Sequence, residues 1–254
     1  MAVVVVGAFA LVVIPAGVGA PAPELRWSLI AQRPHDPQAF TEGLVAYKGV
    51  LLESTGLAGR SSVRRVNATT GRALMVRRDP REIFGEGLTV LHGTAWQLSW
   101  RNHRIFGVDP TALDGRSDRP YPYEGWGLTT DGRSLIAGDG TATVRWIDPS
   151  TLRTQRQVTV TNDGVPVTYL NELELLNGVL WANVWQSDRI ALINPTNGHV
   201  RAWLDLAPLR ARLPRPGEVL NGIARDPETG GVAVTGKYWA RMFVIRLRDS
   251  LPNP

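Results

Sequence analysis

The sequence contains no cysteine. Disulfide staples, thiol nucleophiles and cysteine-ligated zinc are therefore excluded, and a structural zinc would have to rest on four scattered histidines. Lysine is almost absent too: of 28 basic residues only Lys48 and Lys237 are lysine, the rest being arginine. The arginines carry a formal net charge of +5 but form no dense run, so the chain lacks the basic footprint of a nucleic-acid binder. Beyond residue 24 there is also no long segment with the 3.6-residue period of a helix. What is there instead is short alternating apolar runs broken by Gly, Pro, Asn and Asp, which predicts strands throughout.

Residues 2–20, A-V-V-V-V-G-A-F-A-L-V-V-I-P-A-G-V-G-A, are apolar and lack a preceding basic stretch. The segment resembles a secretory h-region ending in small residues, with V-G-A a candidate cleavage site. Export is the expectation, and anchoring by the same segment is the alternative, although the run is short for a membrane span and Pro15 interrupts it. Residues 1–22 are thus set apart as signal peptide or anchor. Residues 24–254 are read as a single domain, an ordinary length for a closed all-β fold.

That domain repeats. F-T-E-G-L (40–44), F-G-E-G-L (84–88), E-G-W-G-L (124–128), Y-L-N-E-L (169–173) and V-L-N-G-I (219–223) align on Gly43, Gly87, Gly127, Glu172 and Gly222. A spacing of roughly 45 residues is that of a four-stranded propeller blade. Second strands follow each start (G-V-L-L-E-S-T-G, A-W-Q-L-S-W, S-L-I-A-G-D-G, V-L-W-A-N-V-W, V-A-V-T-G-K), and third strands run into turns such as V-N-A-T-T-G and I-D-P-S-T. The last repeat stops after M-F-V-I-R-L (242–247), while R-W-S-L-I-A (26–31) precedes the first. The prediction is an all-β, five-bladed β-propeller whose last blade is completed by an N-terminal strand, which removes the exposed edges.

First strands of propeller blades line the central channel, so equivalent positions face one another. Just before the aligned column stand Glu42, Glu86, Trp126, Asn171 and Asn221. Thirteen residues beyond it come Gly56, Trp100, Gly140, Trp185 and Thr235, with Lys237 two further on. Taken singly, a tryptophan there is packing, an asparagine a turn former and a glycine a tight turn. Taken as a ring, they read as a site: indole walls exclude water, a desolvated glutamate holds a proton near neutral pH, and amide or ammonium donors stabilise an oxyanion. The set fits acyl chemistry without metal or covalent nucleophile.

The motifs H-D-P-Q-A-F-T-E-G-L, E-S-T-G-L-A-G-R-S-S-V-R, F-G-E-G-L-T, W-Q-L-S-W, E-G-W-G-L-T, L-N-E-L-E, W-A-N-V-W, L-N-G-I-A and T-G-K-Y-W, in this order, resemble those of the plant and bacterial glutamine cyclotransferases across residues 35–247. The resemblance implies a five-bladed propeller that turns the N-terminal glutamine of a peptide or protein into pyroglutamate with release of ammonia, without a cofactor or metal. It further implies that Glu86 is the acid-base residue, that Asn171 and Lys237 position the amide and stabilise its oxygen, and that Phe40, Trp100, Trp126 and Trp185 wall the substrate. Asn221 and Glu42 complete the expected substrate-binding set. Position 42 departs from the family, which usually has F-T-Q-G-L. Two carboxyls in one ring should share a proton, and Glu42 could instead pair with the substrate ammonium or with Lys237.

Two rival readings stay open on sequence alone. A ring of Glu, Glu, Asn and Asn is also an oxygen-ligand set for calcium, as in a lactonase-like propeller hydrolase. A non-catalytic binding propeller is the other, since the fold hosts many functions. The expected partner is a peptide or protein with N-terminal glutamine, and the expected state is a monomer.

Overall fold

The computed structural model describes residues 21–115 and 117–252. The apolar segment read as signal or anchor lies outside the described residues, save its last two positions, Pro21 and Ala22. Five four-stranded antiparallel sheets surround a central channel. Blade 1 is built from Thr41–Tyr47, Val50–Thr55, Ser62–Val66 and Ala73–Arg78. Blade 2 comprises Gly85–Leu91, Thr94–Ser99, Arg104–Val108 and Ser117–Pro120. Blade 3 comprises Leu128–Thr130, Leu135–Gly138, Thr143–Ile147 and Thr154–Thr159. Blade 4 comprises Leu170–Leu176, Val179–Val184, Arg189–Ile193 and Val200–Asp205. Blade 5 takes Leu220–Arg225, Val232–Gly236 and Arg241–Leu247 from the end of the chain and Trp27–Pro34 from its beginning. Trp27 pairs with Leu247 and Pro34 with Arg241, so the predicted ring closure is present.

Turn chemistry explains the strand lengths. Lys48-Gly49, His92-Gly93 and Asn177-Gly178 all have positive φ at both residues, the two-residue hairpin geometry whose twist matches its flanking strands. This accounts for Lys48, which sits in a hairpin loop. The expected turns after the third strands fold on a side-chain oxygen: Asn67 Oδ1 accepts from the Thr69 and Thr70 N–H groups, Asp109 Oδ1 from Thr111 and Ala112, and Asp148 Oδ1 from Ser150 and Thr151.

The core lies between blades. Separate apolar clusters fill each of the five interfaces, for example Leu192 and Phe243 between blades 4 and 5, and Leu52 and Leu88 between blades 1 and 2. Near the axis the inner strands come too close for side chains at the aligned column. A Cβ on Gly43 would stand 2.4 Å from Leu88 N, one on Gly87 2.4 Å from Trp126 O, and one on Gly127 2.1 Å from Asn171 O. Blade 4 breaks the pattern with Glu172, whose carboxyl group spans the channel to accept from Leu44 N (3.3 Å) and Ile223 N (3.0 Å).

Candidate active site

Four inner strands carry a register shift at the aligned column: Thr41/Gly43, Gly85/Leu88, Leu170/Leu173 and Leu220/Ile223. A bulge sets two residues of one strand against one of its partner, which frees a side chain from the pleat and leaves backbone groups unpaired. The freed side chains are Glu42, Glu86, Asn171 and Asn221. Backbone groups left over in a dry channel need partners. Asn221 Oδ1 accepts from Glu172 N (3.3 Å), Asn183 Oδ1 accepts from Gly222 N (3.0 Å), and Gly87 N donates to Trp126 O (2.7 Å).

Above this floor opens a cavity of about 460 Å³ lined by Glu42, Glu86, Asn171 and Lys237 below and by aromatic rings around. This is within the range of small-molecule sites. Phe40, Trp100, Trp126 and Trp185 all face it, as the sequence predicts. Two arcs of edge and tilted contacts make the wall. Trp126 and Trp185 meet at 6.0 Å and 86°, with Tyr169 against Trp185 at 5.7 Å. Phe40 and Phe84 meet at 6.1 Å and 86°, with Trp100 against Phe84 at 5.5 Å. Gly56 and Gly140, read from sequence as turn glycines, give these rings their space: a Cβ on Gly56 would lie 2.5 Å from Phe84, and one on Gly140 2.5 Å from Trp126.

Charge is concentrated at one end of the floor. Lys237 Nζ donates to Glu42 Oε1 at 2.7 Å and lies 4.5 Å from the Phe40 ring centroid. Asn221 Nδ2 donates to Glu42 Oε2 at 3.1 Å and to Thr41 O at 2.9 Å. Burial pushes Glu42 up to about 7, and the attraction of Lys237 keeps it from rising further. Glu86 lies well above the ordinary carboxylate range, first through burial and then through the negative charge of Glu42. Both carboxyls are thus shifted towards their protonated forms and titrate as a pair, with Glu86 the more strongly raised. Glu86 Oε2 and Asn171 Oδ1 are buried without a hydrogen-bond partner among the described residues, and both residues face the cavity.

Asn221 does not line the cavity. Both ends of its amide are engaged beneath Glu42, so it holds the carboxylate in place from below. Four lining residues escape the sequence reading: Phe84, Arg101, Tyr169 and Glu218. Phe84 and Tyr169 stand in the same repeat column as Phe40, two residues ahead of the bulged side chain, and that column was the signal for them. Arg101 covers Trp100 at 4.1 Å and pairs with Glu124 at 3.1 Å, giving the rim a closed ion pair.

Comparison with known proteins places these features in context. The family model described as glutamine cyclotransferase matches residues 3–247. A glutaminyl-peptide cyclotransferase of Arabidopsis thaliana is 41% identical over 230 residues, covering 87% of this chain and 71% of the relative. The crystal structure of Myxococcus xanthus glutaminyl cyclase superposes with a TM-score of 0.81 at 32% identity, covering 89% of this chain and 98% of that one. A luciferin-regenerating enzyme, at 13% identity and a TM-score of 0.51 over 82% of this chain and 78% of its own, shares the fold alone.

Proposed function

The chain belongs to the glutamine cyclotransferase family, and from that premise we propose that it cyclises the N-terminal glutamine of peptides or proteins to pyroglutamate, with Glu86 moving the proton. The α-amine of the bound glutamine attacks the carbon of its own side-chain amide. A new C–N bond forms and the carbonyl electrons pass to oxygen, where the Lys237 ammonium and the Asn171 amide offer donors. The surplus proton on the attacking nitrogen goes to the carboxyl pair. Glu86, already protonated, gives its proton to the amide nitrogen, the old C–N bond breaks, and ammonia leaves. One proton is taken and one returned, so the pair ends as it began.

A single observation carries this reading: two buried carboxyls, both pushed up by burial, stand beside an ammonium on the floor of an aromatic cavity. Indole walls keep water from the reacting atoms, which strengthens every charge interaction there. The same donor set supports chemistry without a metal. Lys237 and Asn221 already engage both oxygens of Glu42, which takes that carboxylate out of the oxygen set a calcium ion would need. Purified protein incubated with a Gln-Ala dipeptide amide and a chelator should release ammonia. No ammonia above background from any Gln-initiated peptide would sink the cyclase reading, and activity restored only by calcium would sink its metal-free form.

Export and a monomeric state belong to the same proposal. The apolar stretch 2–20 supports the first, and N-terminal sequencing of the mature protein tests it. Light scattering that returned a dimer mass would overturn the second.

A further inference from the structure

A second concavity, about 350 Å³, lies over blade 1 and the segment 36–40 that leads into it. Phe40 lines both spaces, and the wall between them is thin: a Cβ on Gly56, which lines the groove, would lie 3.0 Å from Glu42 Cγ. The groove carries three guanidinium groups, Arg60, Arg64 and Arg78, against one carboxylate, Asp36. Arg64 is already neutralised, donating to Asp36 at 2.7 Å and to Glu53. Arg60 and Arg78 are exposed and their side chains make no ion pair or hydrogen bond among the described residues. Two uncompensated positive charges therefore face a groove that begins where the catalytic cavity ends.

We propose that this groove binds the residues following the N-terminal glutamine and selects peptides with acidic side chains there. The inference rests on the cyclase reading. In that reaction the α-amine and the side-chain amide are held in the cavity, so the substrate continues only through the glutamine carbonyl. On the other side of the mouth Arg101 is spoken for by Glu124 and by the Trp100 ring. The open guanidinium groups lie on the Phe40 side, and Val76 adds exposed apolar surface between them. Arg60 and Arg78 thus set which tail is preferred without touching the reacting atoms.

The test compares Gln-Ala-Ala-Ala-amide, Gln-Asp-Glu-Ala-amide and Gln-Lys-Lys-Ala-amide, with Gln-Ala-amide as a substrate too short to follow the groove. At low ionic strength kcat/KM should be about threefold to tenfold higher for the acidic tail than for the neutral one, mostly through KM, as expected for two exposed charge pairs. The preference should fade at about 0.5 M salt, where the screening length is a few ångströms. In an Arg60→Ser, Arg78→Ser double variant the three tails should become equal while Gln-Ala-amide turnover stays at wild-type level. Equal rates on acidic and neutral tails in the wild type, or a preference that survives in the double variant, overturns the groove. Tryptophan-fluorescence titration of the Glu86→Gln variant with the same peptides ranks their affinities without turnover. Failure of the ranking therefore reports on the groove, whereas absence of ammonia from Gln-Ala-amide reports on the cyclase reading.

Discussion

Lys237 Nζ reaches Glu42 Oε1 at 2.7 Å, joining the last blade of the ring to the first across the floor of the cavity. The ion pair is buried at both ends; the ammonium holds Glu42 down against burial, while burial and the charge of Glu42 raise Glu86. The negative charge at position 42 makes the neighbouring Glu86 more basic.

Replacing Glu86 by glutamine keeps shape and removes the titrating proton. We expect kcat to fall by about 10²- to 10⁴-fold with little change in KM. Ammonia release under saturating peptide measures it, with circular dichroism to verify the fold. A tenth or more of wild-type kcat remaining would remove Glu86 from the mechanism.

Glu42→Gln should leave an active enzyme with a different pH profile. The negative neighbour that helps Glu86 hold its proton disappears, and Lys237 loses its partner, so the pKa of Glu86 falls. The alkaline limb of the kcat profile, where Glu86 loses its proton, then moves to lower pH. A limb that stays put or moves up contradicts the coupling.

Stability should decline between pH 5 and pH 8. Glu42 rises to about 7 and Glu174 to about 8, while Glu86 and Glu172 lie well above the ordinary range, all chiefly through burial. These native carboxyls keep protons that the unfolded chain has released above about pH 4.3, so their contribution is complete below that value and is lost as pH rises through the folded pKa values. His35 acts in the same direction. Burial opposes its charge, but the Glu53 carboxylate and the Trp239 carbonyl raise its pKa overall, so its contribution is present below about 6.5 and lost above. Glu53, held far below the ordinary range despite burial by Arg64 and His35, sets the acid side: its contribution is present above about pH 4.3 and lost as pH falls. Thermal melts should peak near pH 5. A melting temperature that is flat or rising from 5 to 8 would count against these protonation states.

Gly140→Ala and Gly132→Ala separate backbone strain from ring space. Both glycines have positive φ, +77° and +85°, so either substitution costs about 1–2 kcal/mol. Only the Cβ at 140 meets Trp126, at 2.5 Å, whereas that at 132 meets nothing within 4 Å. Crowding should add about 1–3 kcal/mol at 140. A severalfold rise in KM for the 140 variant alone is the expected readout, and equal KM values would free Trp126 from the substrate wall.

The repeat was legible because the closed ring imposes it: the inner strands crowd together at one level, so glycine recurs there, and on four of the five blades a bulge beside it throws one side chain inward. Glu42, Glu86, Trp126 and Asn171 could be found from that column. What the column hides is which way each side chain is satisfied. Asn221 occupies an equivalent place yet spends its amide on Thr41 and Glu42. Glycines at 56 and 140 read as turn formers in one dimension, since the rings they admit come from residues 84 and 126, elsewhere in the sequence. Arg101 and Glu218 belong to no repeat column, and only folding brings them to the cavity.

The strand Trp27–Pro34 has no sheet partner until Arg241–Leu247 has been made, so blade 5 is closed after the other four. Blade 5 is also the blade that delivers Lys237. An incomplete nascent chain therefore holds Glu42 and Glu86 but lacks the cation that apportions their proton. The Lys237–Glu42 pair therefore forms only once blade 5 has been added to the ring.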